Sequence, residues 1–217
     1  MAKYNINSKK GFTIIEVVLV LAIAGLIFLM VFVALPALQR SQRDTQRRND
    51  MSRVDTSLVQ YQTNHSNQSS NLPDVSAASV WQAPSDNTFG SSGCGTSVAC
   101  QFIRDYMNTG SSENDGKANN FEDPNGTPYS LVITPNWSDN INASNAENGS
   151  SKLALVSGTT DQYTIQDKDG SNAFDSYTIY IIPGGRCVGD AVTQSTKRHF
   201  AVLYRLEGAG NYCIDDQ

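Results

Sequence analysis

Charged side chains are absent from residues 17–39 of this 217-residue chain, although charged residues make up 17% of the whole sequence. Histidine is scarce as well. His65 and His199 are the two histidines, and neither lies in a nucleophile elbow, a metal-binding helix pair or a recognisable triad order. The sequence contains no glycine loop of the kind that cradles phosphate. These absences predict a protein that is not an enzyme.

The uncharged stretch is long enough to span a bilayer, which takes about 20 apolar residues in a helix. Lys3, Lys9 and Lys10 precede it and favour the cytoplasmic side for the N-terminus, so the rest of the chain is expected outside. One carboxylate, Glu16, stands at the head of the stretch. A charge costs about 2.5–3.5 kcal/mol at a bilayer centre and less near its edge. We therefore expect Glu16 to have a partner.

The start of the apolar stretch carries a specific motif. Positions 11–16 hold a glycine, a phenylalanine, a threonine, two aliphatic residues and a glutamate. This order resembles the class III signal peptide of type IV pilins and pseudopilins. The resemblance implies that a prepilin peptidase cuts between Gly11 and Phe12, and that the new N-terminal amine of Phe12 is methylated. It also implies that the Phe12 ammonium neutralises Glu16 of an adjoining subunit in a filament.

Two further positions enter through the same resemblance. The family's glycine in the apolar helix falls on Gly25, whereas the family's usual proline is displaced along the helix to Pro36. The residues that the resemblance assigns to assembly are thus Phe12, Glu16, Gly25 and Pro36. Proline lacks a backbone N–H, so Pro36 is also a candidate for a kink.

The resemblance implies an α+β pilin fold, with a long N-terminal helix packed on a C-terminal antiparallel β-sheet domain. The predicted segments are a leader at 1–11, a membrane or filament-core helix at 12–39, an amphipathic half-helix at 40–65 and an extracellular domain at 66–217. Periodicity supports the second half of the helix, because Met51, Val54, Leu58 and Tyr61 recur at steps of three and four residues. We expect the face formed by Met51, Val54 and Leu58 to pack on the sheet.

Local patterns predict the elements of the domain. A short helical turn is expected at 76–83, and Thr96 or Ser97 could cap a second helix with Phe102 and Ile103 on its apolar side. Residues 208–210 are expected to form a hairpin turn. Alternation of apolar and polar residues predicts strands at 129–134, 152–157, 162–166, 176–182, 199–206 and 211–214.

Five arginines follow the apolar stretch and alternate with three aspartates. They are Arg40, Arg43, Arg47, Arg48 and Arg53. Contact with lipid head groups and ion pairs between filament neighbours are two functional interpretations. The plain alternative is a solvated helix face, whose spaced charge pairs add a few tenths of a kcal/mol each. We expect this alternative to hold for at least half of the arginines.

Four cysteines lie on the predicted outside: Cys94, Cys100, Cys187 and Cys213. An even number outside the cytosol predicts two disulfides, for which three pairings are formally possible. The pairings that are local in sequence, 94 with 100 and 187 with 213, are favoured. The second resembles the C-terminal disulfide loop of many pilins. A zinc site of four thiolates is the alternative, but it lacks paired Cys-x-x-Cys spacing.

No cofactor is predicted, apart from a weak calcium candidate. Asp167, Asp169 and Asp175 surround a glycine turn, and oxygen ligands suit a hard cation. Some pilins and pseudopilins bind calcium in such loops, yet the spacing does not fit an EF-hand. A plain acidic turn is the favoured interpretation.

The predicted function is the major subunit of a type IV pilus for adhesion, twitching motility or both. The expected partners are other copies, the prepilin peptidase, the pilus assembly platform and the membrane before assembly; the receptor is unknown. Loss of the leader lysines would leave 13 basic against 21 acidic side chains, so nucleic acid is an unfavoured partner. One alternative is a pseudopilin or minor pilin of a secretion or DNA-uptake system, because residues 123–126 resemble an Asp-Pro-x-Gly loop of many pseudopilins. The other is a signal-anchored ectodomain that never polymerises.

Overall fold

The computed structural model describes residues 11–65, 79–81, 101–107, 121–127, 129–134, 151–155, 162–167, 177–208 and 210–216. The chain divides into two compact units, Met1–Gln42 and Arg43–Gln217. The leader at 1–11 and the other segment boundaries stay predictions.

Helix α1 is Ile14–Asn64, and Pro36 lies within it. Its most apolar window of 18 residues has a mean hydropathy of 3.2, and none of that window is buried. Among the residues that the structure describes, α1 is the one helix that is long and apolar enough to cross a membrane. Its part in the second unit is different, because Met51, Val54 and Leu58 are fully buried there. The predicted packing face is confirmed.

A π-helix and nine strands follow α1 in the described part of the chain. The π-helix is Ile103–Met107. The strands are β1 (Ser79–Trp81), β2 (Ser130–Ile133), β3 (Ser151–Leu155), β4 (Gln162–Asp167), β5 (Thr178–Pro183), β6 (Gly185–Val188), β7 (Ala191–Gln194), β8 (Phe200–Arg205) and β9 (Asn211–Asp215).

The strands form two sheets. One has five strands in the order β1-β2-β5-β8-β9, and the other has four in the order β3-β4-β7-β6. The predicted α+β architecture with an antiparallel-rich sheet is confirmed. One pair differs from that prediction, because β2 and β5 pair in parallel. Parallel neighbours require a crossover connection, and here the connection carries β3 and β4, which belong to the second sheet.

The three central strands of the five-stranded sheet, β2, β5 and β8, are buried on both faces. Along β5, Ile179 and Ile181 pack in a core with α1 and the π-helix, whereas Tyr180 and Ile182 pack in a second core between the two sheets. The second unit therefore has three layers, with the five-stranded sheet in the middle. Alternation along 176–182 places Tyr180 with Thr178 opposite the apolar Ile179 and Ile181, which predicts a polar face there, and the second sheet explains why Tyr180 is buried instead.

Glycines allow the chain to pass directly from one sheet to the other. Gly184 has a φ of 73°, in the left-handed region that residues other than glycine rarely adopt. A Cβ on Gly185 would lie 2.7 Å from Cγ1 of Val192 and 3.0 Å from the carbonyl oxygen of Ile182. Two glycines in succession therefore let β6 begin immediately after β5 ends.

A disulfide between Cys187 and Cys213 joins β6 to β9, with their Cα atoms 5.8 Å apart. This is the C-terminal pairing that the sequence favoured. The two strands lie at the ends of their respective sheets. The Cys187 N–H also donates a 2.7 Å hydrogen bond to Oδ2 of Asp215. One edge of each sheet is thus tied to the other covalently and by a hydrogen bond.

Several local predictions need correction. The helical turn at 76–83 is wrong, because Ser79–Trp81 pairs antiparallel with β2 and this pairing overrides local propensity. Strands β6 and β7 were not predicted, since each has four residues and depends on pairing with the other. Residues 101–107 are helical, with Phe102 and Ile103 buried as expected. The cap candidates Thr96 and Ser97 lie outside the described residues.

Replacing Leu58 by Ala should lower the free energy of unfolding by about 2–5 kcal/mol, because Leu58 is fully buried in the core beneath α1. The matched control is Val59→Ala, whose side chain is 43% exposed, with an expected effect within about 0.5 kcal/mol. Urea unfolding of the full chain in detergent micelles measures both variants. Equal losses for the two variants would contradict the packing described above.

Candidate functional site

The residues that the sequence assigned to assembly lie in the first unit, in α1 or just before it. Phe12 is 90% exposed, and the aliphatic side chains that follow it are exposed as well. A Cβ on Gly25 would meet nothing within 4 Å, so this glycine leaves a notch in the helix surface. Exposed apolar surface of this extent marks a site that contacts lipid or protein. The individual roles of Phe12, Gly25 and Pro36 stay predictions.

Thr13 and Glu16 form a reciprocal pair at the start of α1. The Thr13 N–H and hydroxyl donate to Oε2 of Glu16 at 2.8 and 2.7 Å, and the Glu16 N–H donates to Oγ1 of Thr13 at 3.4 Å. This is a capping box, which satisfies backbone donors that a helix start leaves open. Sequence reasoning missed Thr13 as a partner of Glu16, although a Thr-x-x-Glu spacing before an apolar run signals this motif.

Arg47 is the centre of a buried ion cluster in the second unit. Its side chain is 1% exposed and binds Asp123 through two bonds, Nε to Oδ2 at 2.5 Å and Nη2 to Oδ1 at 2.9 Å. Its Nη1 also donates to Oδ1 of Asp44 at 2.9 Å and to Oε2 of Glu207 at 3.2 Å. The hydroxyl of Tyr204 donates to Oδ2 of Asp123 at 3.2 Å. One guanidinium therefore contacts three carboxylates.

Two more contacts extend the ion cluster to the connection between β8 and β9. Arg43 donates to both oxygens of Glu207, at 2.8 Å from Nε and 2.6 Å from Nη2. Asp44 accepts the backbone N–H groups of Glu207 and Gly208, each at 3.0 Å. Leu206 N–H bonds to the carbonyl of Gly210, which closes the predicted hairpin turn. We define the ion cluster as Arg43, Asp44, Arg47, Asp123 and Glu207.

Local geometry explains why these side chains meet. Residues 43, 44 and 47 lie within about one turn of α1, at 3.6 residues per turn. Asp123 begins a turn in which its carbonyl accepts the N–H of Gly126 at 2.7 Å and its Oδ1 accepts the N–H of Asn125 at 3.1 Å. Gly126 has a φ of 85°. The Asp-Pro-x-Gly turn therefore presents its aspartate to Arg47.

Electrostatics in the ion cluster follow from these contacts. Hydrogen bonds from Arg43 lower the pKa of Glu207 from 4.5 to about 2, against the opposing effect of burial. Burial alone would lower the pKa of Arg47, but the hydrogen bonds and charge of Asp123 outweigh it and raise the pKa. Nearby, burial raises the pKa of Asp50, although the Tyr129 hydroxyl donates to it at 3.1 Å. The hydrogen bond to Glu207 likewise raises the pKa of Arg43. Arg43 and Arg47 therefore both stay charged.

The structure revises the interpretation of the five arginines. Arg43 and Arg47 hold the second unit together, a role that neither the functional interpretations nor the solvated-face alternative included. Arg48 lies 5.4 Å from the centre of the Tyr212 ring, and Arg53 lies 5.9 Å from that of Phe121. Sequence periodicity could not distinguish a buried arginine from an exposed one, because the partners come from distant segments.

The other predicted sites fall wholly or partly outside the described residues. Cys94 and Cys100 lie there, as do Asp169 and Asp175; Asp167 ends β4, and its side chain is not described. Within the described ranges, no group of three or more histidine, cysteine or acidic side chains could hold a metal ion. The first disulfide and the calcium candidate remain predictions.

Replacing Arg47 by Gln should lower the free energy of unfolding by about 3–5 kcal/mol, because buried carboxylates would lose their partner. Arg48→Gln is the matched control, since Arg48 is the next residue on α1 and is exposed. Its expected effect is within about 1 kcal/mol. Denaturant unfolding of the full chain in micelles compares them, and a mild Arg47 variant would contradict a structural role for the ion cluster.

Glu207 should make unfolding pH-dependent. Its pKa in the folded chain is below its ordinary value, so its stabilisation is complete above about pH 4.5 and is lost as the pH falls towards 2. We expect the stability difference between wild type and Glu207→Gln to shrink over that range. Glu122→Gln is the control, because Glu122 makes no ion pair within the described part of the chain. A difference independent of pH would refute the assignment.

Comparison with known proteins gives one match. Residues 6–32 match the family model of the prokaryotic N-terminal methylation motif. No curated protein and no solved structure matches the chain. The motif points to a structural protein and not to an enzyme. Residues 6–32 thus resemble the class III signal peptide of type IV pilins, and helix α1, which begins within this range, and the β-sheet domain are consistent with the pilin α+β fold.

Proposed function

We propose that this chain is the major structural subunit of a type IV pilus. The methylation motif at residues 6–32 carries the proposal, because it implies a prepilin peptidase substrate that assembles into pilus-like polymers. In the proposed sequence of events, the peptidase cuts between Gly11 and Phe12 and the chain waits in the cytoplasmic membrane. The assembly platform then draws it into a surface filament used for adhesion, twitching motility or both.

Exchange of one apolar environment for another drives the proposed assembly. Side chains such as Ile14, Leu21 and Phe28 are 85%, 65% and 63% exposed. They need lipid before assembly, and copies of the same helix can cover them afterwards. Because lipid tails are as apolar as leucine, close packing and polar contacts must favour the helix bundle over the membrane. The notch at Gly25 suits such close approach of helices.

The capping box allows Glu16 to serve its own helix and a neighbour at the same time. Both Thr13 bonds end on Oε2, and among the described residues Oε1 of Glu16 accepts no hydrogen bond. In the proposed filament, Oε1 receives the ammonium group of Phe12 from an adjoining copy. An unpaired charge inside a dry bundle is costly, so this pairing rewards one axial register and penalises others.

Two alternatives share part of this machinery. A pseudopilin or minor pilin would have the same motif, and the Asp-Pro-x-Gly turn, whose Asp123 pairs here with Arg47, resembles a loop of many pseudopilins. A signal-anchored ectodomain would keep residues 1–11 and would not polymerise. Mass spectrometry of the native N-terminus separates the anchor from both pilin classes. Abundance as the main subunit of purified surface fibres separates a major pilin from a minor one.

Glu16→Gln is the sharpest test of the assembly mechanism. Glutamine at this position can still complete a capping box, but it carries no charge. We expect Glu16→Gln and Glu16→Val to reduce filament yield strongly while both proteins still insert in the membrane. Electron microscopy of sheared fibres and membrane fractionation measure the two properties.

Thr13→Val is the control variant, because it removes the hydroxyl of the cap and keeps the Glu16 charge. It should lower the filament yield less than Glu16→Gln does. Filaments at wild-type yield from Glu16→Gln would show that Glu16 acts only as a cap, and wild-type subunits that begin at Met1 or Ala2 would refute cleavage before Phe12.

A further inference from the structure

Asn125 and Gly126 form an Asn-Gly pair on the exposed surface of the turn before β2. Asparagine is chemically labile, and a following glycine makes it most so, because no side chain hinders attack by the glycine nitrogen. In this reaction the Gly126 nitrogen loses its proton and bonds to Cγ of Asn125. The Cγ–Nδ2 bond breaks, Nδ2 takes up a proton and leaves as ammonia, and water then opens the succinimide ring to aspartate or isoaspartate.

We propose that Asn125 is a modification site, which the folded turn keeps unreacted and which deamidates when the turn opens. The isoaspartate product would separate Asp123 from Arg47, so the chemical state of one exposed side chain controls the buried ion cluster. This inference concerns contacts inside the second unit, and it does not rest on the proposed function.

The nitrogen that must attack is engaged in the closed turn. The Gly126 N–H donates to the carbonyl of Asp123 at 2.7 Å. Loss of its proton would leave an amide anion facing a carbonyl oxygen, and the two atoms would repel each other. The Asp123 N–H donates to the carbonyl of Thr127 at 2.8 Å, so a second backbone bond closes the same turn. The nitrogen therefore becomes a nucleophile only after the turn opens.

The Asn125 side chain is held at both of its polar atoms. Nδ2 donates to the Tyr177 hydroxyl at 2.8 Å, and Oδ1 accepts the Thr127 N–H at 3.2 Å. Attack would make the flat carboxamide carbon tetrahedral and move both atoms away from these partners. The Thr127 N–H also has an opposing effect, because it can stabilise negative charge that develops on Oδ1. That bond is longer than the 2.7 Å bond from the attacking nitrogen, so protection outweighs activation.

Conversion of Asn125 would reach the ion cluster through the backbone. Isoaspartate adds one methylene group to the main chain before Gly126, so the bonds that close the turn no longer fit. Oδ1 of Asp123 accepts both the Asn125 N–H at 3.1 Å and Nη2 of Arg47 at 2.9 Å. A distorted turn therefore displaces the carboxylate that Arg47 binds. Loss of one partner from a buried ion pair is strongly destabilising.

Deamidation rates of the full chain in detergent micelles test the protection. Incubation at mildly alkaline pH and peptide mapping by mass spectrometry give the rate at Asn125, and urea without reductant gives the unfolded reference. Asn148–Gly149 is a second Asn-Gly pair in the sequence and shows in urea that the assay detects the reaction. We expect Asn125 to react at least about tenfold more slowly in the folded chain, which corresponds to an opening free energy of about 1.4 kcal/mol.

Tyr177→Phe tests the contact that holds Nδ2. It should raise the rate in the folded chain by about two- to tenfold, the range for loss of one hydrogen bond. Tyr106→Phe is the matched control, because its hydroxyl contacts His65 at 3.4 Å, and it should leave the rate unchanged. All three proteins should react at the same rate in urea, and circular dichroism verifies that both variants are folded.

The stability of the converted protein tests the link to the ion cluster. Pulse proteolysis of a partly converted sample in urea, read by peptide mapping, gives the unfolding midpoint of each form. Isoaspartate at position 125 should lower the midpoint, and Asn125→Asp, which adds charge without the extra methylene, should lower it less. Equal rates in the folded chain and in urea would overturn the protection. A rate that Tyr177→Phe does not change would overturn the role of Tyr177, and an unchanged midpoint for isoaspartate would overturn the link to Arg47.

Discussion

The Arg47–Asp123 ion pair joins segments that are far apart in the sequence, and the second unit depends on it. Arg47 comes from α1, Asp123 from a turn before β2, and Glu207 from the connection between β8 and β9. Both carboxylates pair with the Arg47 guanidinium, at distances of 2.5 and 3.2 Å. A buried pair of this kind contributes little net stability compared with a packed apolar substitute, but removal of one partner is costly. Its value lies in specifying one arrangement of three segments.

Helix α1 satisfies opposite physical requirements along its length. Its first part is apolar on all sides and contains one carboxylate, Glu16, which the capping box partners. Its second part combines a buried apolar face with arginines that contact carboxylates and aromatic rings. The change from one to the other falls a few residues before the boundary of the compact units, which lies between Gln42 and Arg43.

Patterns that are local in sequence predicted much of this architecture. The helix, its packing face at Met51 and Leu58, six strands and the C-terminal disulfide could all be inferred from spacing, alternation or family resemblance. The features that were missed depend on distant partners. Residues 79–81 form strand β1 because they pair with β2. Tyr180 is buried because the second sheet covers it. Arg47 looked like its exposed neighbours, since nothing near it in the sequence reveals Asp123.

The bond between Cys187 and Cys213 has a consequence for a chain that polymerises. Strands β6 and β9 end their sheets, and an unpaired strand edge can template pairing with another molecule. Crowding of many identical domains along a fibre would raise that hazard sharply. Because the disulfide fastens one edge to the other, it reduces the unpaired strand backbone with which a neighbouring domain could form hydrogen bonds. One of the two edges of each sheet is thereby less available for β-aggregation, which favours the proposed growth through the helices.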